Sequence, residues 1–510
     1  MLSPSASLAL ERDLSFLKTS VDEADRAMYA RDLWPRHHLA VRAGDVAAHK
    51  PHAIVWPTST DEVVRIVKWA YQNSVSLVPF GAGSGVCAGV LPTPDVVIVD
   101  LKRMDRWRKF EPSGPWLDVE SGHMGVPLEE KLNRKGLTMG HFPSSILCST
   151  SGGWVAARSA GQCSGYYGKI EDMVLDLELV TGTGEVVTLP RRAHGRSLVP
   201  FIVGSEGTLG IITSSTFRLH PMPQARAFGA WSFPSTTQGW EAMRAMFQAG
   251  LRPAVSRLYD PFDAMLAKQG KHKEKKKAGG APGLGALALR TLLRRPGFVN
   301  ELLHSEWGGK LMGGAMLVVI FEGEGDAPSR ALEQARALFE KINGSYEGEG
   351  PAQNWLKHRY SVSYRQAPVF ASGAFVDTME VAARWSHLGA LYDGVRKALG
   401  EHVFVMAHMS HAYPDGCCIY FSFAGSGAPG SKGDWREACE TTYDRAWRAG
   451  LKAAIDAGGT LAHHHGAGRS KAPRLPEELG VGLDVIRQAK RVFDPKGIMN
   501  PGNLFPLDSK

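Results

Sequence analysis

Between Ala53 and Thr188 the chain alternates short apolar runs with amphipathic segments. Ala53-Ile54-Val55-Trp56 is an apolar run stopped by Pro57, the pattern of a short strand. Ser59-Thr60-Asp61-Glu62 has the form of a capping box, and Val63, Val64, Val67, Ala70 and Tyr71 then recur at helical spacing. Ser76–Phe80 and Val96–Asp100 predict two further strands, the second apolar up to its last residue. A strand is expected over 117–120, a helix from Val126-Pro127-Leu128, and a long strand over 173–180 that turns at 181–184 and returns over 185–188. Residues 1–45 read as a polar, partly helical lead-in. Composition shifts after Pro221-Met222-Pro223, and a second region follows with its own alternation of helices and strands. No internal repeat is visible.

A chain of 510 residues exceeds one ordinary core, so two or three domains are expected. With 44% hydrophobic and 22% charged residues it has the composition of a soluble globular protein. A net charge of +8 is modest for this length; it favours an anionic ligand or membrane surface, or reflects ordinary solubility, and no nucleic-acid partner is expected. One insert, 268–285, carries Lys271, Lys273, Lys275, Lys276 and Lys277 and reads as a mobile surface loop. After it, Leu287, Leu289, Leu292 and Leu293 stand beside Arg290, Arg294 and Arg295, a basic amphipathic segment that either lies on a membrane or packs on its own domain. The six cysteines show no C-x-x-C spacing and read as reduced thiols of a cytosolic protein. The N-terminus lacks a secretory signal pattern, and no apolar run approaches the roughly 18 residues of a spanning helix. The expected location is therefore cytoplasmic, with the basic segment as a route to peripheral membrane contact; a homodimer is compatible with it.

Three glycine-rich segments carry the chemistry of the first 225 residues. Pro79-Phe80-Gly81-Ala82-Gly83-Ser84-Gly85 follows a strand, where successive N–H groups can curl into a nest for a pyrophosphate, or simply make a tight turn. It is not the G-x-G-x-x-G that opens a dinucleotide-binding helix. Ser144, Ser145, Ser149, Thr150, Gly152 and Gly153, followed by Ala156, Ala157, Arg158 and Ser159, offer hydroxyls and small residues to a diphosphate and to the polar edge of a flat ring. Glu206-Gly207-Thr208-Leu209-Gly210-Ile211-Ile212 sets two glycines and a hydroxyl ahead of a β run.

The order of these segments resembles the FAD-binding domain of the vanillyl-alcohol oxidase and p-cresol methylhydroxylase (PCMH) superfamily. The resemblance runs from about Pro51 to the end, where the segment from Val492 through Asp494-Pro495-Lys496-Gly497 to Asn503-Leu504 is similar to the closing segment of these proteins. It implies an α+β fold: a two-subdomain PCMH-type FAD-binding domain over 47–225 after a lead-in over 1–46, a cap domain over 226–440 with an antiparallel sheet flanked by helices, and a segment over 441–510 that returns to the FAD site. The flavin ring is then expected between FAD domain and cap. Some members bind FAD covalently through a histidine in the first glycine loop; that loop has none here, so dissociable FAD is expected.

Two clusters bear on the branch: the stretch from Ala407-His408 through Ser410-His411 to Cys418-Ile419-Tyr420-Phe421, and His463-His464-His465-Gly466. Their histidines could in principle assemble a zinc site. The metal-using D-2-hydroxy-acid dehydrogenases, however, carry H-x-G-D-G-N-x-H and a later E-H-G. Here Asp415-Gly416 lacks the Asn, Tyr420 sits near the second histidine, and His464 replaces the glutamate, so no metal is expected. The clusters resemble the alkylglycerone-phosphate synthases, which exchange the acyl chain of acyl-dihydroxyacetone phosphate for a fatty alcohol. The resemblance implies that Tyr420 donates and accepts a proton, that His463, His464 and His465 act near the flavin, that Arg257 lies at the active site, and that flavin N5 is the nucleophile without net redox change. A phenol near a flavin can shuttle a proton if its pKa is lowered by nearby cations; alternatively Tyr420 fills a strand core and the triplet is a polar turn. The family's phosphate-linked arginine is His408 here, and a histidine is no permanent phosphate clamp. His408 and His411 are read as substrate contacts.

Two functions stay open: a synthase-like exchange on a small-molecule or lipid substrate, or an FAD-linked oxidase or dehydrogenase of a 2-hydroxy acid or alcohol. A non-catalytic protein with a vestigial flavin site is the third and least economical reading, because Tyr420, Arg257 and the three histidines all survive together.

Overall fold

Apolar runs interrupted by proline, glycine or a charge become strands in this chain, and the computed structural model shows how they associate. It describes residues 4–190, 197–269, 313–361, 372–427 and 435–505, with Leu2 and isolated positions between 293 and 301 and at 369–370. Residues 270–292, which carry the lysine-rich insert and most of the basic amphipathic segment, lie outside the described residues. The chain forms two compact units: Met1–Gly161, Gly168–Met222 and His464–Lys510 make the first, and Gln162–Tyr167 with Pro223–His463 the second.

The first unit holds two main sheets. In one, β1 (Lys18–Ser20), β2 (Ala53–Trp56), β3 (Ser76–Phe80) and β4 (Val96–Asp100) lie in the order β1-β2-β4-β3, with β2 and β3 parallel to β4. Buried on both faces, these central strands are the near-continuous apolar runs seen in the sequence. The lead-in is not a separate appendage: β1 pairs with β2, and Leu10 and Leu14 are buried against Val63, Ile66 and Val67 of the helix Thr60–Asn73. Ser59 caps that helix by accepting from the Glu62 N–H. The Glu62 carboxylate, however, accepts from the N–H of Thr58 and not of Ser59, so the reciprocal half of the box falls one residue early.

The other sheet is antiparallel: β5 (Trp107–Glu111), β6 (Trp116–Glu120), β8 (Val174–Thr181), β9 (Val186–Pro190) and β10 (Gly210–Arg218), ordered β5-β6-β10-β8-β9. A short pair joins β7 (Leu137–Thr138) to β11 (His220–Pro221). The C-terminal segment is tied into the first sheet. Leu77 N–H donates to the Ile498 carbonyl and Asn500 N–H to the Leu77 carbonyl. The buried Asp494 carboxylate holds this turn by accepting from the N–H groups of Ile498 (3.0 Å) and Met499 (2.8 Å) and from Lys490 Nζ (2.7 Å).

The second unit is built on one seven-stranded antiparallel sheet. Its strands are β12 (Ala225–Phe233), β13 (Val255–Tyr259), β14 (Ala315–Gly323), β15 (Ser345–Gly348), β16 (Phe375–Arg384), β17 (Phe404–Ala412) and β18 (Gly416–Gly425), in the order β15-β12-β14-β13-β17-β18-β16. Helices Thr236–Gln248, Ala327–Glu340, Leu388–Gly400 and Trp435–Asp456 pack on it, as the α+β reading requires. Residues 441–456 thus belong to a helix of this unit, and the chain re-enters the first unit at His464. None of the six cysteines, all described, forms a disulfide, and no described helix is long and apolar enough to cross a membrane.

Removing the Asp494 carboxylate leaves Lys490 without its counter-ion and two buried N–H groups without an acceptor. Asp494→Ala is expected to lower unfolding stability by about 3–5 kcal/mol, with Asp494→Asn milder, read from the urea midpoint.

Candidate active site

Glycine placement in the first unit is explained by three loops folding against one another. Gly81, directly after β3, lies so close to Thr150 that a Cβ would come within 2.5 Å of its Oγ1. Gly204 and Glu206 donate their N–H groups to the carbonyls of Val155 and Ala156, zipping the third loop to the second. A Cβ on Gly207 would meet Pro79 at 3.1 Å, which closes the third loop on the first. Several backbone positions here are left-handed: Gly83 at φ +65°, Arg158 at +55°, Glu206 at +50° and Gly207 at +74°. In the first loop the N–H groups of Ala82, Gly83, Ser84 and Gly85 have no acceptor among the described residues, and the space beside Gly85 is open. Successive unsatisfied N–H groups on a glycine turn suit a pyrophosphate.

The side chains assigned to this site are less available than the backbone. Ser149 Oγ accepts from Trp154 Nε1 (2.8 Å), Thr150 Oγ1 caps the helix Ser151–Ala156, Thr208 Oγ1 donates to the Ser205 carbonyl (2.7 Å), and Ser159 Oγ meets His141 Nε2 (2.8 Å). Arg158 pairs with Glu171 at 3.0 Å. Ser144 is exposed and Ser145 half-buried, whereas Leu209, Gly210, Ile211 and Ile212 are buried at the start of β10. Glu206, a half-buried carboxylate whose pKa burial pushes up, is held by the N–H groups of Ala467 (2.7 Å) and Gly468 (3.0 Å) and by Asn503. It thereby anchors the turn that follows His464 and His465, which belong to this unit and pack edge to face at 4.6 Å.

In the second unit one sheet face gathers the other assigned residues. His408 on β17 is directly opposite Tyr420 on β18, which is opposite Glu380 on β16, while Tyr259 on β13 is opposite His408. Strict alternation would send His411 to the far face, three residues from His408. A bulge between Met409 and His411 reverses this, so His411 also faces Tyr420. His408 stacks on the phenol at 4.8 Å and 17°, and His411 Nε2 lies 3.1 Å from Tyr420 Oη. His411 Nδ1 is 2.8 Å from Ser164 Oγ, which is 3.1 Å from Tyr413 Oη. Arg257 bonds Ser410 Oγ (2.9 Å) and sits over the Tyr259 ring. His463 stacks near His411 and Tyr413, both at 5.5 Å, and its N–H donates to Glu380 (2.6 Å).

The electrostatics of this face run against the expectation of an activated phenolate. Burial pushes the Tyr420 pKa well above the ordinary range, Cys418 and Glu380 add to that, and Arg257 is the cation that opposes it. Desolvation outweighs one guanidinium, so the phenol keeps its proton. His408 is pushed down to about 4 by burial and by Arg257, against the pull of Asp263, whose Oδ2 is 3.1 Å from Nδ1. Ser164, Asp263 and Glu380 were not found by sequence reasoning. They lie 247, 145 and 40 positions from the residues they touch or face, and a single sequence carries no sign of such pairings.

Comparison with known proteins decides the family. A model of the FAD binding domain matches residues 51–190, and the model of the C-terminal domain of FAD-linked oxidases matches 222–504. The chain belongs to the PCMH-type FAD-linked oxidase family. This family member is 30% identical over 490 residues to alkyldihydroxyacetonephosphate synthase of Trypanosoma brucei brucei, covering 93% of this chain and 76% of that protein. A solved structure of an alkyldihydroxyacetonephosphate synthase superposes with a TM-score of 0.75 at 26% identity, covering 98% of this chain and 85% of that one. Glycolate oxidase subunit GlcD of Bacillus subtilis is 24% identical over 498 residues, covering 96% and 94%. FAD is the cofactor of this family member, and the open nest at 82–85 with its flanking loops fits it.

Trichloroacetic acid precipitation of the purified yellow protein is expected to release all the FAD into the supernatant, since no histidine stands in the first loop. A Cβ on Gly83 would lie 2.6 Å from the Phe80 ring and its φ is left-handed, so Gly83→Ala is expected to weaken FAD binding by about tenfold or more, measured by flavin fluorescence on titration.

Proposed function

We propose that this FAD-dependent enzyme belongs to the alkyldihydroxyacetonephosphate-synthase branch and exchanges an acyl for an alkyl group on a lipid precursor, with Tyr420 as proton donor. The observation that carries the reading is the hydrogen-bonded series Tyr420–His411–Ser164–Tyr413, with spacings of 3.1, 2.8 and 3.1 Å. Similarity to the trypanosomal synthase over nearly the whole chain supports it.

Bound FAD supplies the reactive ring; the residues of the chain handle protons. A half-buried neutral phenol gives up its Oη proton to oxygen that gains charge on the substrate. Nε2 of His411 replaces that proton in the same movement, Nδ1 takes one from Ser164 Oγ, Ser164 takes the Tyr413 Oη proton, and Tyr413 regains one from solvent. Tyr413 is half-buried beside the exposed Pro414 and Asp415, so the series leads from the buried face to the rim of the hairpin. Arg257 is the cation best placed to hold an anionic part of the substrate; its Nε is buried without an acceptor among the described residues.

The second reading, oxidation of a 2-hydroxy acid or alcohol, is favoured by one observation: His408, in place of a permanent cation, is a neutral ring. The two readings separate in one assay. Exchange of alcohol for acyl on acyl-dihydroxyacetone phosphate without an electron acceptor supports the synthase, whereas anaerobic flavin bleaching and dye reduction by D-lactate or glycolate support the oxidoreductase. In either case Tyr420→Phe is expected to lower kcat by about 10²-fold or more with FAD still bound, and Ser164→Ala by about tenfold. Unchanged turnover of Tyr420→Phe removes this residue from the mechanism.

A further inference from the structure

His408 differs from a generic active-site histidine in how its two ring nitrogens are committed. Nδ1 faces Asp263 Oδ2 at 3.1 Å, and Nε2 has no hydrogen-bond partner among the described residues. The partner is placed by local structure: Asp263 stands in the first turn of the helix Pro261–Gln269, where its N–H is held by Asp260 Oδ1 (2.9 Å). Asp260 is itself fully buried and accepts from the Ala407 N–H (2.6 Å), the residue before His408. One short segment thus fixes both the strand that carries the imidazole and the carboxylate that orients it. The ring is further held flat against Tyr420, with Tyr259 at 6.2 Å on the neighbouring strand.

A carboxylate accepts and does not donate, so it selects the tautomer with the proton on Nδ1. Nε2 then presents a lone pair. The charged and titratable groups around the ring are Asp263, Arg257, Tyr259 and Tyr420; burial and Arg257 together keep the ring neutral. An acceptor backed by a carboxylate repels a phosphate, whose oxygens are also acceptors, and suits an O–H donor.

We propose that Asp263 and His408 form a base for a substrate hydroxyl, so that this position, next to Tyr420, takes an uncharged alcohol and not a phosphate. The proposal rests on reading this sheet face as the substrate site. In the step, the substrate O–H bond breaks, an N–H bond forms at His408 Nε2, and the oxygen keeps the electron pair. The positive charge on the imidazole is balanced by Asp263, and no oxidant or reductant takes part. The pair serves exchange and oxidation alike, since both consume an alcohol that must lose its proton.

The test uses purified holoenzyme, with 1-decanol and decyl phosphate as probes followed by the perturbation of the flavin absorption spectrum. Wild type is expected to bind decanol at least about tenfold more tightly than decyl phosphate, and His408→Arg, which restores a permanent cation, to reverse the order. Asp263→Asn is expected to leave decanol binding within a few-fold of wild type while turnover of an alcohol substrate falls about 10²-fold in kcat, not in KM. An unchanged preference in His408→Arg overturns the proposal. So does wild-type turnover in Asp263→Asn; if Tyr420→Phe is impaired in the same assay, the pair falls and the substrate-site reading stands. Wild-type turnover in both variants overturns both.

Discussion

Everything in the second unit depends on the register between β17 and β18. Antiparallel pairing puts His408 opposite Tyr420, and the single extra residue at the bulge puts His411 on the same side. Without that extra residue His411 would point among Met409, Ile419 and Phe421, which are fully buried core. The bulge therefore does two things at once. It lets β17 present two imidazoles to one phenol, and it keeps the opposite face apolar enough to bind the sheet to its helices. Bulges are common where a strand must re-aim a side chain, and here the re-aimed residue is the one that contacts both Tyr420 and Ser164.

Burial decides the charge state of that face. One guanidinium, Arg257, stands against the desolvation of Tyr420, and the phenol stays neutral; the same desolvation, helped by Arg257, keeps His408 neutral. Neutral donors and acceptors in hydrogen-bonded order can pass a proton along the series when the transfers are concerted. The first unit follows a different economy. Its side-chain hydroxyls are used to hold loops together, and the N–H groups of the first glycine loop are what remain for an anion. A cofactor held there would be bound by backbone shape, which positive-φ positions maintain.

Much of this was legible in the sequence, for identifiable reasons. Ser76–Phe80 and Val96–Asp100 are strands at the expected residues because apolar runs of this length are too short for a helix. The glycine loops were legible because glycine at successive positions has few structural uses. What escaped were relations between distant positions. Nothing in Gln162–Tyr167 announces that it packs with the second unit while its flanks stay in the first, nor that Ser164 meets a histidine 247 residues away. The bulge escaped because His408 and His411 read as two polar residues on a strand whose register is set by its partner. The condition of a lowered Tyr420 pKa is not met for a related reason: sequence does not show the desolvation that outweighs Arg257.

Proton donation on that face requires Tyr420 to be a neutral phenol, and its ionisation can be observed directly. The measurement is a pH titration of holoenzyme labelled at the tyrosine Cζ with carbon-13, with the Tyr420 signal assigned from Tyr420→Phe. The prediction is a Cζ shift that stays at its protonated value up to about pH 10, the point at which an ordinary tyrosine is half ionised. A Tyr420 signal that moves to the phenolate position near neutral pH would contradict it.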